Sequence, residues 1–225
     1  SAGLGWGFPS ALGMAHAKPD ALVAACIGDG SYMFANPVAC GQISEALGLP
    51  MQTGGEHARF GTHNHLMGLE GGLYLEVISI DPIAPQPDRP RWFDLDDFSG
   101  KPRLTNWICA VPDMTHALSQ WPDAGDPISL ERGDLRWQMA VPQSGKLPFD
   151  GTFPPLISWS GTLHPAQMLG SSGASLKQLT IHHPEATDLA DLLGVIAGAS
   201  VRFETAQASS LSAEFDTPHG VRLLT

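Results

Sequence analysis

Apolar positions in this chain fall into short runs, and the runs change character near residue 50. Residues 21–27 are a continuous apolar stretch of strand length with no alternation, which suits a strand covered on both faces. A small-residue helix is expected before it, over roughly 10–18. A Gly28-Asp29-Gly30 turn follows it, and a helix runs from about 37 to 47 with Val38, Ile43, Ala46 and Leu47 along one side. Helix, buried strand, glycine turn and helix is the order of an α/β unit that holds a ligand at the carboxyl end of its strand.

Beyond residue 50 the pattern is that of strands with only occasional helices. Residues 57–69 and 71–81 read as two strands joined at Glu70-Gly71-Gly72, with Glu76 set among apolar neighbours. A proline-rich loop over 82–90 follows. Further strands are expected at 104–111, 128–132, 135–141 and 155–159, with a helix from Pro112-Asp113 to about Trp121. The plan then recurs as a strand at 176–182, a helix at 185–197 and strands at 201–205 and 211–216. Strand, helix and several strands, met more than once, is a repeated βαβββ module. The fold class expected is α+β, with repeated βαβββ modules. The N-terminal α/β piece would supply the first strand and helix.

Composition narrows the partners. Of 225 residues, 43% are hydrophobic and 16% charged, so the chain can bury a core. Twelve Lys and Arg against 23 Asp and Glu give a net charge of −11, which repels phosphate backbones and anionic lipid. Neither nucleic acid nor a membrane is therefore expected as a partner. No apolar run approaches the roughly 20 residues of a membrane-spanning helix, and no basic-then-apolar leader opens the sequence. Three cysteines, Cys26, Cys40 and Cys109, form no short metal-type spacing. They fit buried small hydrophobes in a reducing, cytoplasmic compartment.

The glycines flanking Asp29 let a backbone approach a phosphate, and its carboxylate suits the Mg²⁺ that bridges a diphosphate. Taken with GLGWGFPSALG, PDALVAACIGDGSYMFANP and QISEALGLP in order, residues 1–50 resemble part of the cofactor-binding domain of thiamine-diphosphate-dependent decarboxylases and synthases. The resemblance implies cofactor binding by Gly28, Asp29 and Gly30, with Asp29 as a Mg²⁺ ligand. After Pro50 the family's second ligand, an Asn beyond the next strand, has no counterpart, and its activating Glu lies upstream of the matching region. Working thiamine diphosphate catalysis by this chain alone is therefore not expected.

The segments GGEHARFGTHNHL, GGLYLEVISIDP, LTNWICAVPDM, FPPLISWSGTLHPAQML and LSAEFDTPHGVRLL resemble a glyoxalase-like domain of the vicinal-oxygen-chelate superfamily, over residues 51–225. That resemblance implies a half-barrel cupping a divalent metal or a small ligand, with Glu76 at the family's fourth-strand ligand position. The second module offers Asn106, Trp107 and Ser158 where further ligands would stand, none a good divalent-metal ligand. QISEALGLP serves either family, so the chain reads as a fusion or chimera, divided at 1–50 and 51–225.

Among nine histidines, His63 and His65 stand two apart, so on a strand both point the same way. With Glu76 they form the candidate catalytic set, the carboxylate as ligand or base and the imidazoles as carbonyl polarisers or metal ligands. His164, before Pro165, sits in a loop suited to closing over a ligand, whereas His57 carries no signal of its own. Trp92, Trp107, Trp137 and Trp159 are core residues by default, of which one or two suit a small-molecule pocket. No Gly-x-Ser-x-Gly nucleophile elbow exists. The function expected is that of a glyoxalase-like small-molecule-binding protein or a lyase/isomerase-type enzyme with a degenerate metal site. The alternatives are a thiamine-enzyme fragment and a non-catalytic binding or dimerisation module, for which a homodimer is the natural assembly.

Overall fold

The structure, a computed structural model, describes residues 22–27, 35–161 and 163–225. The first element is strand β1 (Leu22–Ile27), followed by helix α1 (Ala35–Leu47), and strands β2 (Gln52–His57), β3 (Thr62–Gly68) and β4 (Tyr74–Ile80). The plan repeats with β5 (Arg103–Ala110), α2 (Met114–Gln120), β6 (Asp126–Arg132), β7 (Leu135–Val141) and β8 (Leu156–Ser160). These two βαβββ modules make one eight-stranded sheet, ordered β2-β3-β4-β1-β5-β8-β7-β6.

The order is symmetric about its centre. In each module the first strand lies parallel to the last, β1 on β4 and β5 on β8, and the two first strands meet antiparallel. The apolar run over 22–27 thus lies between two hydrogen-bonded neighbours, as its lack of alternation leads one to expect. Ala24 stands opposite Leu75 on one side and Trp107 on the other.

Two strand expectations need correction, and strand β2 and the final strand were not expected. The segment expected as one strand over 57–69 holds only the last residue of β2 and then β3, the two separated by a turn in which the Phe60 amide donates to the His57 carbonyl. The first of them, Gln-Thr-Gly-Gly-Glu-His, is polar and glycine-rich, and it is a strand only because β3 supplies its partner. The final strand, β12 (Gly220–Leu224), follows a turn at Gly220, whose φ of +92° favours glycine. The third recurrence of the βαβββ order folds differently. Strand β9 (Ser175–His183), helix α4 (Ala186–Leu193), and strands β10 (Val201–Thr205), β11 (Ser210–Thr217) and β12 form a separate sheet ordered β10-β9-β11-β12. Burial decides this order. Leu179 and Ile181 on β9 and Leu211, Ala213 and Phe215 on β11 are buried and take central places, while the largely exposed β10 takes an edge.

The large sheet has two differently filled faces. On one, Met67, Leu75, Val77, Trp107, Cys109 and Leu156 pack under α1, through Ala39, Ile43 and Leu47, and under the small sheet and α4. Burial raises the pKa of the Cys109 thiol, which sits there as a small apolar group. On the other, Leu66, Tyr74, Ile78, Ile108, Trp137, Met139 and Ile157 gather beneath Phe60, Trp92, Phe93 and Leu95 from the loops. Laid flat, eight strands at about 4.8 Å spacing would span roughly 34 Å. Yet a Cβ placed on Gly55 of edge strand β2 would lie 2.6 Å from Cδ of Arg132 on edge strand β6. The sheet is therefore curled until its edges nearly meet, an open half-barrel around the second core.

Because β1 carries hydrogen-bond ladders on both sides, Ala24→Pro removes a ladder donor where no edge exists. It is expected to cost on the order of 3 kcal/mol, read as a lower urea midpoint for the whole chain. An unchanged midpoint would show that the strand is not integral to the sheet.

Candidate functional site

The inner face of the half-barrel brings polar side chains into an otherwise aromatic cavity. Register fixes which residues point inward. Glu76 pairs with Leu66, and both alternate with Val77 and His65, which face the helical side. Asn64, Leu66, Tyr74 and Glu76 therefore share the inner face with Ile108, Trp137, Met139, Ile157 and Trp159. These residues enclose a cavity of about 30 Å³, room for one or two waters.

A hydrogen-bond chain organises the polar side. Asn64 Nδ2 donates to Glu76 Oε1 at 2.6 Å and approaches His57 Nε2 at 3.4 Å, while Asn64 Oδ1 accepts from the Gly55 amide at 2.7 Å. The amide orientation follows, since the carboxylate side needs a donor and the backbone N–H needs an acceptor. His57 Nε2 is then an acceptor, so its proton sits on Nδ1 and is donated to Thr62 Oγ1 at 3.1 Å. Burial, with the positive charges of Arg132 and His63 adding to it, pushes the His57 pKa down to about 3. Burial raises Glu76, while the Asn64 hydrogen bond and Arg132 partly offset it. The Tyr74 phenol is likewise pushed up by burial and the neighbouring Glu76.

Two glycines make room for this chain. A Cβ on Gly54 would lie 2.0 Å from Asn64 Oδ1 and 2.9 Å from the Asn64 carbonyl oxygen. Gly55 gives passage to the Arg132 side chain. A turn at Trp92–Asp94 closes the aromatic side, with Trp92 stacked 4.0 Å from Phe60 and edge-on to His57 at 5.1 Å. Phe93 holds φ +61°, a left-handed conformation that costs a bulky residue about 1–2 kcal/mol. The Asp94 amide fastens that turn by donating to the Gly145 carbonyl.

Of the expected site residues, Glu76 lies at the centre of this cavity. It is buried rather than set on a solvated face. His63 and His65 do share a face, but register places both on the opposite side of the sheet from Glu76, so the three do not converge. Gly28, Asp29 and Gly30 lie outside the described residues. Ser158 points away from the cavity between inward-facing Ile157 and Trp159. As for the metal, no group of three His, Cys, Asp or Glu converges among the described residues. Both His57 nitrogens are engaged by hydrogen bonds. The donors around Glu76 thus do not fit a divalent ion. His57, Asn64, Tyr74 and Arg132 carry no motif. The available signal was register: the antiparallel pairing that sets Glu76 against Leu66 gives the cavity the even-numbered residues of β3.

The two titrating groups leave opposite marks on stability. His57 has a folded pKa far below its unfolded value of about 6.5, so its contribution is intact above that value and is lost as pH falls toward 3. Glu76, raised when folded, opposes that loss by gaining stability on protonation. Urea unfolding across pH 3–8 is expected to show a shallower acid limb in His57→Gln, by up to ~1.4 kcal/mol per pH unit, and a steeper one in Glu76→Gln. Parallel limbs in all three proteins would contradict this electrostatic assignment. Gly54→Ala, which drives a methyl group into Asn64, is expected to cost about 1–3 kcal/mol in the same assay.

Comparison with known proteins places this geometry. Residues 38–195 match the model of a glyoxalase-like domain, and residues 1–40 match the C-terminal TPP binding domain of thiamine pyrophosphate enzymes. No curated protein matches significantly. A hypothetical protein from Staphylococcus aureus superposes with a TM-score of 0.53 at 14% identity, over 84% of this chain and 88% of that one, which shows a shared fold. A methylmalonyl-CoA epimerase from Mycobacterium tuberculosis gives 0.40 at 14% identity, over 68% and 97%, too loose a likeness to carry an argument. No described helix is long and apolar enough to cross a membrane. With its family match spanning more than half of the sequence and the paired βαβββ sheet in place, the chain belongs to the glyoxalase-like domain family.

Proposed function

We propose that this protein binds a small organic molecule in the half-barrel and moves a proton on it through Glu76, as an isomerase- or lyase-type enzyme that needs no metal at that carboxylate. The observation that carries the reading is a buried carboxyl of raised pKa, oriented by Asn64, in an aromatic-walled cavity. A general acid–base works best with a pKa near the operating pH, and burial moves a carboxyl in that direction. Asn64 fixes Oε1, and His57, held neutral, fixes Asn64 in turn. Arg132 brings positive charge beside the carboxyl, where negative charge would develop on an enolised carbonyl substrate.

A second reading, a non-catalytic binding module, is favoured by the small free volume of the cavity. The two separate in deuterium oxide. Incubation with small enolisable ketones, aldehydes and 2-oxo acids is expected to give protein-dependent deuteration beside a carbonyl, lowered about a hundredfold or more in Glu76→Gln. Binding without deuteration would establish the module instead. Deuteration undiminished by Glu76→Gln would remove Glu76 from the chemistry.

A further inference from the structure

Buried hydrogen-bond donors at and behind the wall of the same cavity have no partner among the described residues. The indole Nε1 atoms of Trp92 and Trp159 and the Nε2 atom of His164 are buried without a partner among the described residues. Trp92 and Trp159 line the cavity, Trp92 at 3% exposure. His164 stands against their wall, 5.1 Å from the Trp159 ring and 5.9 Å from that of Tyr74. It caps the short helix α3 (Pro165–Met168), its Nδ1 accepting from the Ala166 amide at 3.3 Å. An acceptor at Nδ1 places the neutral ring's proton on Nε2, so the orphaned atom is a donor. Arg132 adds a guanidinium at the cavity edge, with no carboxylate within ion-pair distance among the described residues.

Buried donors are nearly always satisfied, because an unmet one forfeits its bond to water. Two orphaned indole N–H groups on lining residues, a third donor on His164 behind the wall and a guanidinium unpaired among the described residues therefore point to an acceptor-rich guest. A carboxylate alone has two oxygens. A 2-oxo acid has three on adjacent carbons and is among the smallest guests to carry them. Resting on the proposed proton transfer at Glu76, we infer that the ligand class is a short 2-oxo acid. Its carboxylate faces Arg132, its oxygens accept from Trp92, Trp159 and His164, and its enolisable carbon lies toward Glu76.

Pyruvate and its neutral methyl ester are the probes, read by quenching of tryptophan fluorescence in the full-length protein. Pyruvate is expected to bind saturably and about tenfold or more tighter than methyl pyruvate, since one charge-assisted pair is worth that factor. Arg132→Gln is expected to weaken pyruvate about tenfold and leave the ester unchanged, with Trp159→Phe weakening pyruvate severalfold. Should Arg132→Gln fail to fold, the acid-to-ester ratio on the unaltered protein still decides. Equal affinity for acid and ester, or pyruvate affinity unmoved by Arg132→Gln, would overturn the inference. Glu76-dependent deuteration of the ester without preference for the acid would overturn it while sparing the proton-transfer reading. Neither binding nor deuteration of either compound would overturn both.

Discussion

Everything in this fold hangs on six residues whose amides face neighbours on both sides. Strand β1 joins β4 in one ladder and β5 in another, and among the described residues no other strand connects the two modules at the centre of the large sheet. A bare β4 edge and a bare β5 edge would each expose unpaired backbone, the condition that invites aggregation. With β1 between them the sheet is continuous and curls, and only then do residues from opposite edges meet. Glu76 and Asn64 from the first module face Trp137, Trp159 and Arg132 from the second because of that continuity. The family match begins only at residue 38, inside α1, while the match to a thiamine-enzyme domain covers 1–40. The strand that completes the glyoxalase-like sheet thus comes from sequence that resembles another family.

The cavity gathers features that do not favour stability. A buried carboxyl, a histidine held neutral and a bulky residue at positive φ each cost free energy, as do donors without acceptors. Such terms also occur elsewhere, as in the positive φ of Phe149, while β9 and β11 carry alternating apolar residues over a compact core under α1. Several such terms gathered around one cavity mark that place as a candidate functional site. The glycine pair at 54 and 55 belongs to the same economy, leaving side-chain volume out of β2 so that Asn64 and Arg132 can reach inward.

How much of this was legible depended on range along the chain. Strands with apolar alternation or apolar runs, such as β7 and β11, were readable from periodicity, and the Asp113 cap of α2 from a local motif. Strand β2 was not, because its pairing comes from β3 while its own sequence is polar and rich in glycine. Glu76 was legible as an acid inside an apolar strand. His63 and His65 shared a face as their spacing required, but spacing alone does not say which face. Arg132 is 56 positions from Glu76 in the sequence, and only curling of the sheet brings them together. The small sheet shows the same limit: its element order repeats the βαβββ plan, yet burial on β9 and β11 sets a different strand order.

The central claim, that β1 is the keystone of the sheet, is tested most directly by native-state hydrogen exchange read on peptides covering residues 22–27, 74–80 and 103–110. Amides of β1 should exchange as slowly as those of β4 and β5, and all three should be released together in one global opening. Rapid exchange in 22–27 with continued protection of the other two segments would contradict the account.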